Sequence, residues 1–291
     1  MSQKYALITG ASSGIGYSVA RILAQRGYKV LGCAPEKDLL GMDSLKEYGV
    51  VPFALDITNI DQIKKAVEFV RAETGGRLDI LYNNAGISIG GPATEIPDDD
   101  LVRLFNVNVF GHIYMTKYFI GFVIAAKGRV VFTSSVAARV PLSWIGAYCA
   151  SKAAIDLYAQ ALRVEMKPFG VRVHSVITGG VNTAICDVNF PKSFEGSRYD
   201  VPGLYDSLKA SSTMSRDVCI QPDEYAKQVI RDITGWRDPG FNLYHGARAY
   251  TLHILGRFFP VWLVEWGIAF HFKQLKPLRE VARRAKKTNT A

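Results

Sequence analysis

The sequence predicts an α/β fold built on a doubly wound parallel sheet. Short apolar runs alternate with helical patterns along most of the chain, the signature of β-α-β units. Candidate strands at 6–9, 29–33, 51–55, 80–82, 129–133 and 171–177 are separated by helical patterns near 15–26, 60–74, 100–126 and 146–168. Each crossover is long enough to carry a helix and should be right-handed, which leaves successive strands parallel. A shorter run at 242–244 finishes the sheet.

Composition suits such a fold. A chain of 291 residues buries roughly 75% of its unfolded surface, so its core needs neither metal nor disulfide. Hydrophobic residues make up 48% and charged residues 21%, too apolar for disorder and ordinary for a soluble enzyme. Cys33, Cys149, Cys186 and Cys219 form no C-x-x-C pair and no N-x-S/T sequon is present. Both features favour a reducing compartment with buried free thiols. Residues 5–9 already read as a strand, so no signal peptide is expected before them and the catalytic part should face cytosol.

Two regions break the alternation. Residues 184–220 carry Pro, Gly, Ser and scattered charges with weak periodicity, as substrate loops and lids do. The apolar stretch from 249 to 272 leads into a basic end: 273–291 holds seven Lys and Arg against Glu280, six of the chain's nine net positive charges. The expected organisation is a catalytic domain over 1–248 and an amphipathic C-terminal extension over 249–291. A basic end either meets membrane phosphates or is simply solvated; no nucleic-acid partner is expected.

The first motif is "TGASSGIG", residues 9–16. A strand, a glycine-rich turn and a helix start fit phosphate binding, because free N–H groups and the helix dipole face an anion there. Gly10, Ser12, Ser13, Gly14, Ile15 and Gly16 are therefore candidates for a cofactor loop. The same letters satisfy G-x-S-x-G, in which Ser12 would be the nucleophile of an esterase or lipase. That chemistry needs a base oriented by an acid, and none of the five histidines sits in a recognisable partner motif. Asp56, in "ALDIT", is placed to accept from an adenine amino group or to cap a helix. "NNAG", 83–86, follows the fourth strand at the carboxyl edge where open sheets bind ligands. Asn83, Ala85 and Gly86 are its candidates for a wall against ribose and nicotinamide.

The sharpest signal is "YCASK", 148–152, thirteen residues after Ser135. Tyr148 and Lys152 are four apart and share a helix face, with Cβ atoms about 6 Å apart. Ser135 lies just beyond the fifth strand, so strand end and helix start converge on one pocket.

With these pieces in place, the chain resembles the short-chain dehydrogenase/reductase family, of Rossmann-type fold, over most of its length. The matching motifs are "TGASSGIG", "NNAG", "NVFG" at 108–111, Ser135, "YCASK" and "ITGGVNT" at 177–183. The resemblance implies a tetrad of Asn108, Ser135, Tyr148 and Lys152. Tyr148 would donate a proton to a ketone oxygen, or take it from an alcohol, while Ser135 holds that oxygen. Lys152 would bind nicotinamide ribose and lower the tyrosine pKa, and Asn108 would support a relay water. Val181 and Thr183 match the nicotinamide-binding segment, although Thr178-Gly179 stands where the family often has Pro-Gly. Ala34 replaces the acid of NAD-preferring members, and Pro35 stands where NADP members place an arginine. Lys37 with the Ser12 and Ser13 hydroxyls would then take the 2′-phosphate, which favours NADP(H) over NAD(H).

The end of the chain narrows the resemblance. "LHILGRFFPVWLVEWGIAFHF", 252–272, is interrupted by Arg257, Pro260 and Glu265, so a bilayer span is not expected. It reads as a peripheral membrane surface, or as a cover for the substrate pocket or a dimer partner. "VFGH", "EMKPFGVRV", "EYAKQ" and "FFPVWLVEWG" resemble fungal members that reduce an acylated dihydroxyacetone phosphate with NADPH at endoplasmic reticulum and lipid-droplet surfaces. The implied substrate is a lipid ketone, its phosphate met by Lys192, Arg198, Lys209 or Arg216. A terpenoid, polyketide or steroid-like intermediate is the alternative substrate class. Helix 146–168 is the expected face of a homodimer.

Overall fold

The structure, a computed structural model, describes residues 2–186, 190–191 and 194–288, and the side chains of all of these but 186, 212–217 and 288. Seven strands form one sheet: β1 (Lys4–Thr9), β2 (Tyr28–Ala34), β3 (Val51–Ala54), β4 (Ile80–Asn83), β5 (Arg129–Thr133), β6 (Arg172–Thr178) and β7 (Asn242–His245). Their spatial order is β3-β2-β1-β4-β5-β6-β7, and every adjacent pair is parallel. Ala6, Leu7 and Ile8 are all fully buried. A strand covered on both faces reads as a continuous apolar run, as a parallel sheet requires.

The helices are α1 (Gly14–Gln25), α2 (Ile60–Thr74), α3 (Asp98–Phe105), α4 (His112–Ala126), α5 (Gly146–Met166), α6 (Leu204–Asp217), α7 (Pro222–Thr234), α8 (Ala249–Phe258), α9 (Val261–His271) and α10 (Leu275–Thr288). One face of the sheet is covered by α1 and α7, through Val19, Leu23, Val229 and Ile230. The other is covered by α2, α4 and α5, through Ile63, Phe119, Val123 and Ile155. Strand order reverses between β1 and β4, and the carboxyl ends there open the crevice in which ligands bind.

The expected strands and the helices at 15–26, 60–74, 100–126 and 146–168 are present within two or three residues. The alternation missed α7 and the 3₁₀ segment Glu36–Tyr48. Residues 184–220 are less irregular than expected, because α6 lies within them. The helix Asp98–Ala126 is by length and composition apolar enough to cross a membrane, yet Met115, Phe119 and Val123 fill the core. The stretch 252–272 is divided at Pro260, which starts α9. The resulting helices of 10 and 11 residues are only about 15 Å long, half a hydrocarbon core. Of the cysteines, Cys33 is buried but Cys149 and Cys219 are only partly so, and all three are free; the Cys186 side chain lies outside the described residues.

Candidate active site

The glycine-rich turn leaves β1 directly below the crevice. Gly10 has φ 65°, and a Cβ there would sit 2.9 Å from the Ala85 Cα. A side chain on Gly16 would overlap the Gly10 carbonyl oxygen. Gly14 lies against Thr183, so the first turn and the segment after β6 meet. Ser13 precedes α1 in extended conformation without capping it by its side chain, and no acid occupies the first turn. That leaves the leading N–H groups of α1 for an anion. Ser12 and Ile15 are half-buried beside it and Ser13 is exposed.

A residue omitted from the expected site organises this corner. Asn84 donates from Nδ2 to the Thr9 carbonyl (3.1 Å) and accepts at Oδ1 from Thr133 Oγ1 (3.1 Å). Thr9 Oγ1 accepts from the N–H groups of Asn84 (2.9 Å) and Ala85 (3.0 Å). These bonds fix the ends of β1, β4 and β5 together. Asn83, by contrast, is buried and donates to Thr116 Oγ1 on α4 (3.2 Å). Asp56 uses Oδ1 to accept from the Thr58 N–H and hydroxyl, which leaves Oδ2 without a protein partner among the described residues. Lys37 is exposed at the start of the 3₁₀ segment, and Gly41 in that segment packs on the Ser12 carbonyl.

The four expected catalytic residues come from three elements. Asn108 lies in a π-helical turn, Asn106–Gly111, between α3 and α4. Such widened turns recur at functional sites. Its amide is buried and saturated: Oδ1 accepts from the Ile87 N–H (2.9 Å), and Nδ2 donates to the Ile87 carbonyl (2.9 Å) and Ser151 Oγ (3.1 Å). Ser151 in turn donates to the Tyr148 carbonyl (2.8 Å). Asn108 therefore positions the start of α5.

Ser135 follows β5, and its Oγ accepts from the Ala137 N–H (3.1 Å). Its own proton remains for an acceptor in the pocket. Tyr148 stands in the first turn of α5, where the helix dipole favours negative charge and no acid opposes it. Its ring packs between two apolar clusters, one around Ile145 and Phe272, the other around Ile89 and Leu104. Lys152 is 2% exposed and donates from Nζ to the Thr133 carbonyl (2.9 Å). Nζ lies 5.7 Å from the centre of the Tyr148 ring. Burial lowers the ammonium pKa to about 8. A side chain on Gly86 would come within 3.6 Å of Nζ, so the "NNAG" turn borders the same space.

His112 completes the wall. Its Nε2 donates to the Ala85 carbonyl (2.7 Å). Burial first, and then the Lys152 charge, push its pKa down to about 3, so the ring is neutral at physiological pH.

These residues fit a dinucleotide. The α1 terminus with Gly10, Ser12, Ser13, Gly14 and Ile15 would hold its phosphates, Asp56 its adenine, and Ala85, Gly86, Lys152, Val181 and Thr183 its nicotinamide end. Ser12 has no triad. Among the described histidines, His112, His174 and His245 bind Ala85, Gly240 and Asp232, so the G-x-S-x-G match is incidental to the phosphate loop. Of the expected substrate-phosphate residues, Arg198 and Lys209 are exposed around α6; Lys192 and the Arg216 side chain lie outside the described residues. A cavity of about 410 Å³ between Asp200, Tyr205 and Arg284 contains none of the tetrad.

The model of the short chain dehydrogenase family matches residues 4–192. The chain is 42% identical to the NADPH-dependent 1-acyldihydroxyacetone phosphate reductase of Saccharomyces cerevisiae, across 93% of this chain and 92% of that protein. It is 40% identical to the reductase of the same description from Schizosaccharomyces pombe, across 63% and 62% of the two chains. Among solved structures, a short chain dehydrogenase from Burkholderia cenocepacia in complex with NADP superposes with a TM-score of 0.68, at 26% identity over 88% of this chain and 94% of that one. Sequence similarity and sheet order agree: the chain belongs to the short-chain dehydrogenase family of NAD(P)-dependent oxidoreductases.

Proposed function

We propose that this protein reduces the ketone of a 1-acyldihydroxyacetone phosphate with NADPH. The observation that carries the reading is Tyr148 itself: its ring stands between apolar clusters, with buried Lys152 one turn behind it. The 42% identical relative, matched along nearly its whole length, supports the substrate class. Bound NADPH supplies the hydride. Tyr148 holds the proton delivered to the ketone oxygen, and Ser135, its lone pair taken by the Ala137 N–H, donates a second hydrogen bond to that oxygen. Lys152 keeps positive charge near the phenol, which favours the phenolate left after proton transfer. Asn108, its amide spent on Ile87 and Ser151, acts by anchoring the turn on which Tyr148 sits.

NADPH is favoured over NADH because β2 ends in Ala34 and Pro35, without the acid that holds a ribose 2′-OH in NAD-preferring members. Lys37, Ser12 and Ser13 border that position. Arg198 and Lys209 are the described cations offered to the substrate phosphate. The exposed aromatics of α8 and α9, followed by the basic end, attach the protein to the cytosolic face of endoplasmic reticulum or lipid droplets. Leu157 and Val164, exposed on α5, form the face of a homodimer.

The reading is tested by following NADPH oxidation against 1-palmitoyl-dihydroxyacetone phosphate and a panel of terpenoid, polyketide and steroid ketones. Turnover of the phosphate ester is expected. Activity confined to the other ketones would reject the substrate while keeping the chemistry.

A further inference from the structure

Helix α9 carries two apolar stripes on opposite sides. Val264 and Ile268 pack with Phe272, Leu142 and Ile145 in the cluster that holds the Tyr148 ring. Trp262, Trp266 and Phe270 stand two residues away from these in register, about 200° around the helix. They are 68%, 58% and 67% exposed, and the Trp266 and Phe270 rings stack at 5.8 Å. Phe258, Phe259 and Val261 extend the exposed face toward α8. A helix apolar on all sides belongs in a protein core or in hydrocarbon. Here, among the described residues, only one side is covered by protein.

Charge points to what covers the other. Arg257 and Lys273, both exposed, bracket the aromatic face, and Lys276 and Arg279 follow. The acid of α9, Glu265, is exposed about 100° from Trp266, at the border of the face. Interfacial aromatics beside cations match an anionic lipid surface.

The helix is also fastened to the catalytic machinery. Ser207 on α6, fully buried, donates to the Phe272 carbonyl (2.9 Å) and accepts from Trp144 Nε1 (2.8 Å). Trp144 lies in the segment leading into α5, two residues before its first turn. One helix thickness thus separates the wall of the Tyr148 pocket from the outward aromatic face.

We propose that α9 is the sill over which a lipid ketone reaches Tyr148 directly from the membrane, its acyl tail lying along the apolar seam between α9 and residues 140–145. This rests on the lipid-ketone reading above and adds the route. It makes the surface concentration of ketone, not its bulk concentration, the variable that sets the rate.

The test uses the full chain with NADPH and two substrates of one headgroup: palmitoyl-dihydroxyacetone phosphate in phosphatidylcholine–phosphatidylserine vesicles, and the butyryl ester free in solution. Trp262→Ser, Trp266→Ser and Phe270→Ser are combined on the outer face. The combined variant should stop floating with vesicles and lose about tenfold or more in kcat/KM on the vesicle-borne ester, with butyryl turnover unchanged. Ile268→Trp, which fills the inner side, should still float but lose the palmitoyl ester. An outer-face variant that keeps wild-type rates on vesicles overturns the route. So does an equal loss on both esters, or a variant that still floats but changes from dimer to monomer. Wild-type protein inactive on both esters would overturn the substrate reading instead, and the route with it.

Discussion

Replacing Lys152 with methionine should make the cofactor-free protein more stable while abolishing turnover. The ammonium is 2% exposed, and burial lowers its pKa from 10.5 to about 8. At about 1.4 kcal/mol per unit, this shift costs the folded state about 3 kcal/mol at neutral pH. Losing the Nζ bond to the Thr133 carbonyl returns about 1 kcal/mol, so the methionine variant should gain about 2 kcal/mol. The pH dependence has a definite sign. Below about 8 both folded and unfolded chains carry the proton, and the penalty is fully present. Between about 8 and 10.5 the unfolded chain alone retains it, so wild-type stability climbs with pH and the variant's advantage shrinks. Urea unfolding across this range, with both proteins free of dinucleotide, measures the difference. A variant less stable than wild type at neutral pH, or an advantage independent of pH, would refute the reasoning.

Other substitutions separate scaffold from chemistry. Asn108→Ala leaves the Ile87 N–H and carbonyl without their buried partners; urea unfolding should show a loss of about 2–4 kcal/mol, with kcat falling as α5 loosens. Gly16→Ala places a methyl against the Gly10 carbonyl, so NADPH affinity measured by fluorescence titration should fall at least tenfold. Pro35→Arg adds a cation next to Ala34, and the ratio of kcat/KM for NADPH over NADH should rise about tenfold, the worth of one added charge-assisted bond; an unchanged ratio would place the 2′-phosphate elsewhere.

The sheet was legible because parallel strands buried on both faces are continuous apolar runs, and glycine-rich turns mark their carboxyl ends. The nearness of Tyr148 and Lys152 was legible because a helical spacing of four puts two side chains on one face. What escaped depended on contacts distant in sequence. Asn84 reads like its neighbour Asn83, and only the pairing of β1, β4 and β5 shows which of them holds the turn. The Trp144–Ser207–Phe272 link joins residues more than sixty positions apart, without any local pattern. Helix α7 did carry a signal, with Pro222 at its start, acids in the first turn and Tyr225, Val229 and Ile233 on one face, but it borders a stretch of weak periodicity. The 3₁₀ segment Glu36–Tyr48 has no amphipathic spacing to find, since Met42 and Leu45 alone are buried. In the C-terminal segment, hydrophobicity was visible but its division between two faces of α9 was not, because both faces are apolar.

The central claim is that Tyr148, on the turn anchored by Asn108 and one turn from Lys152, delivers a proton to the ketone oxygen bound by Ser135 while NADPH reduces an acylated ketone phosphate. It is tested most directly with NADPH deuterated at the transferable position and 1-palmitoyl-dihydroxyacetone phosphate, with the product analysed by mass spectrometry. Wild-type protein should yield the acylglycerol phosphate carrying a single deuterium at the former ketone carbon, and Tyr148→Phe should yield almost none despite unchanged NADPH binding. Product without deuterium, or deuterated product formed equally fast by the phenylalanine variant, would contradict the account.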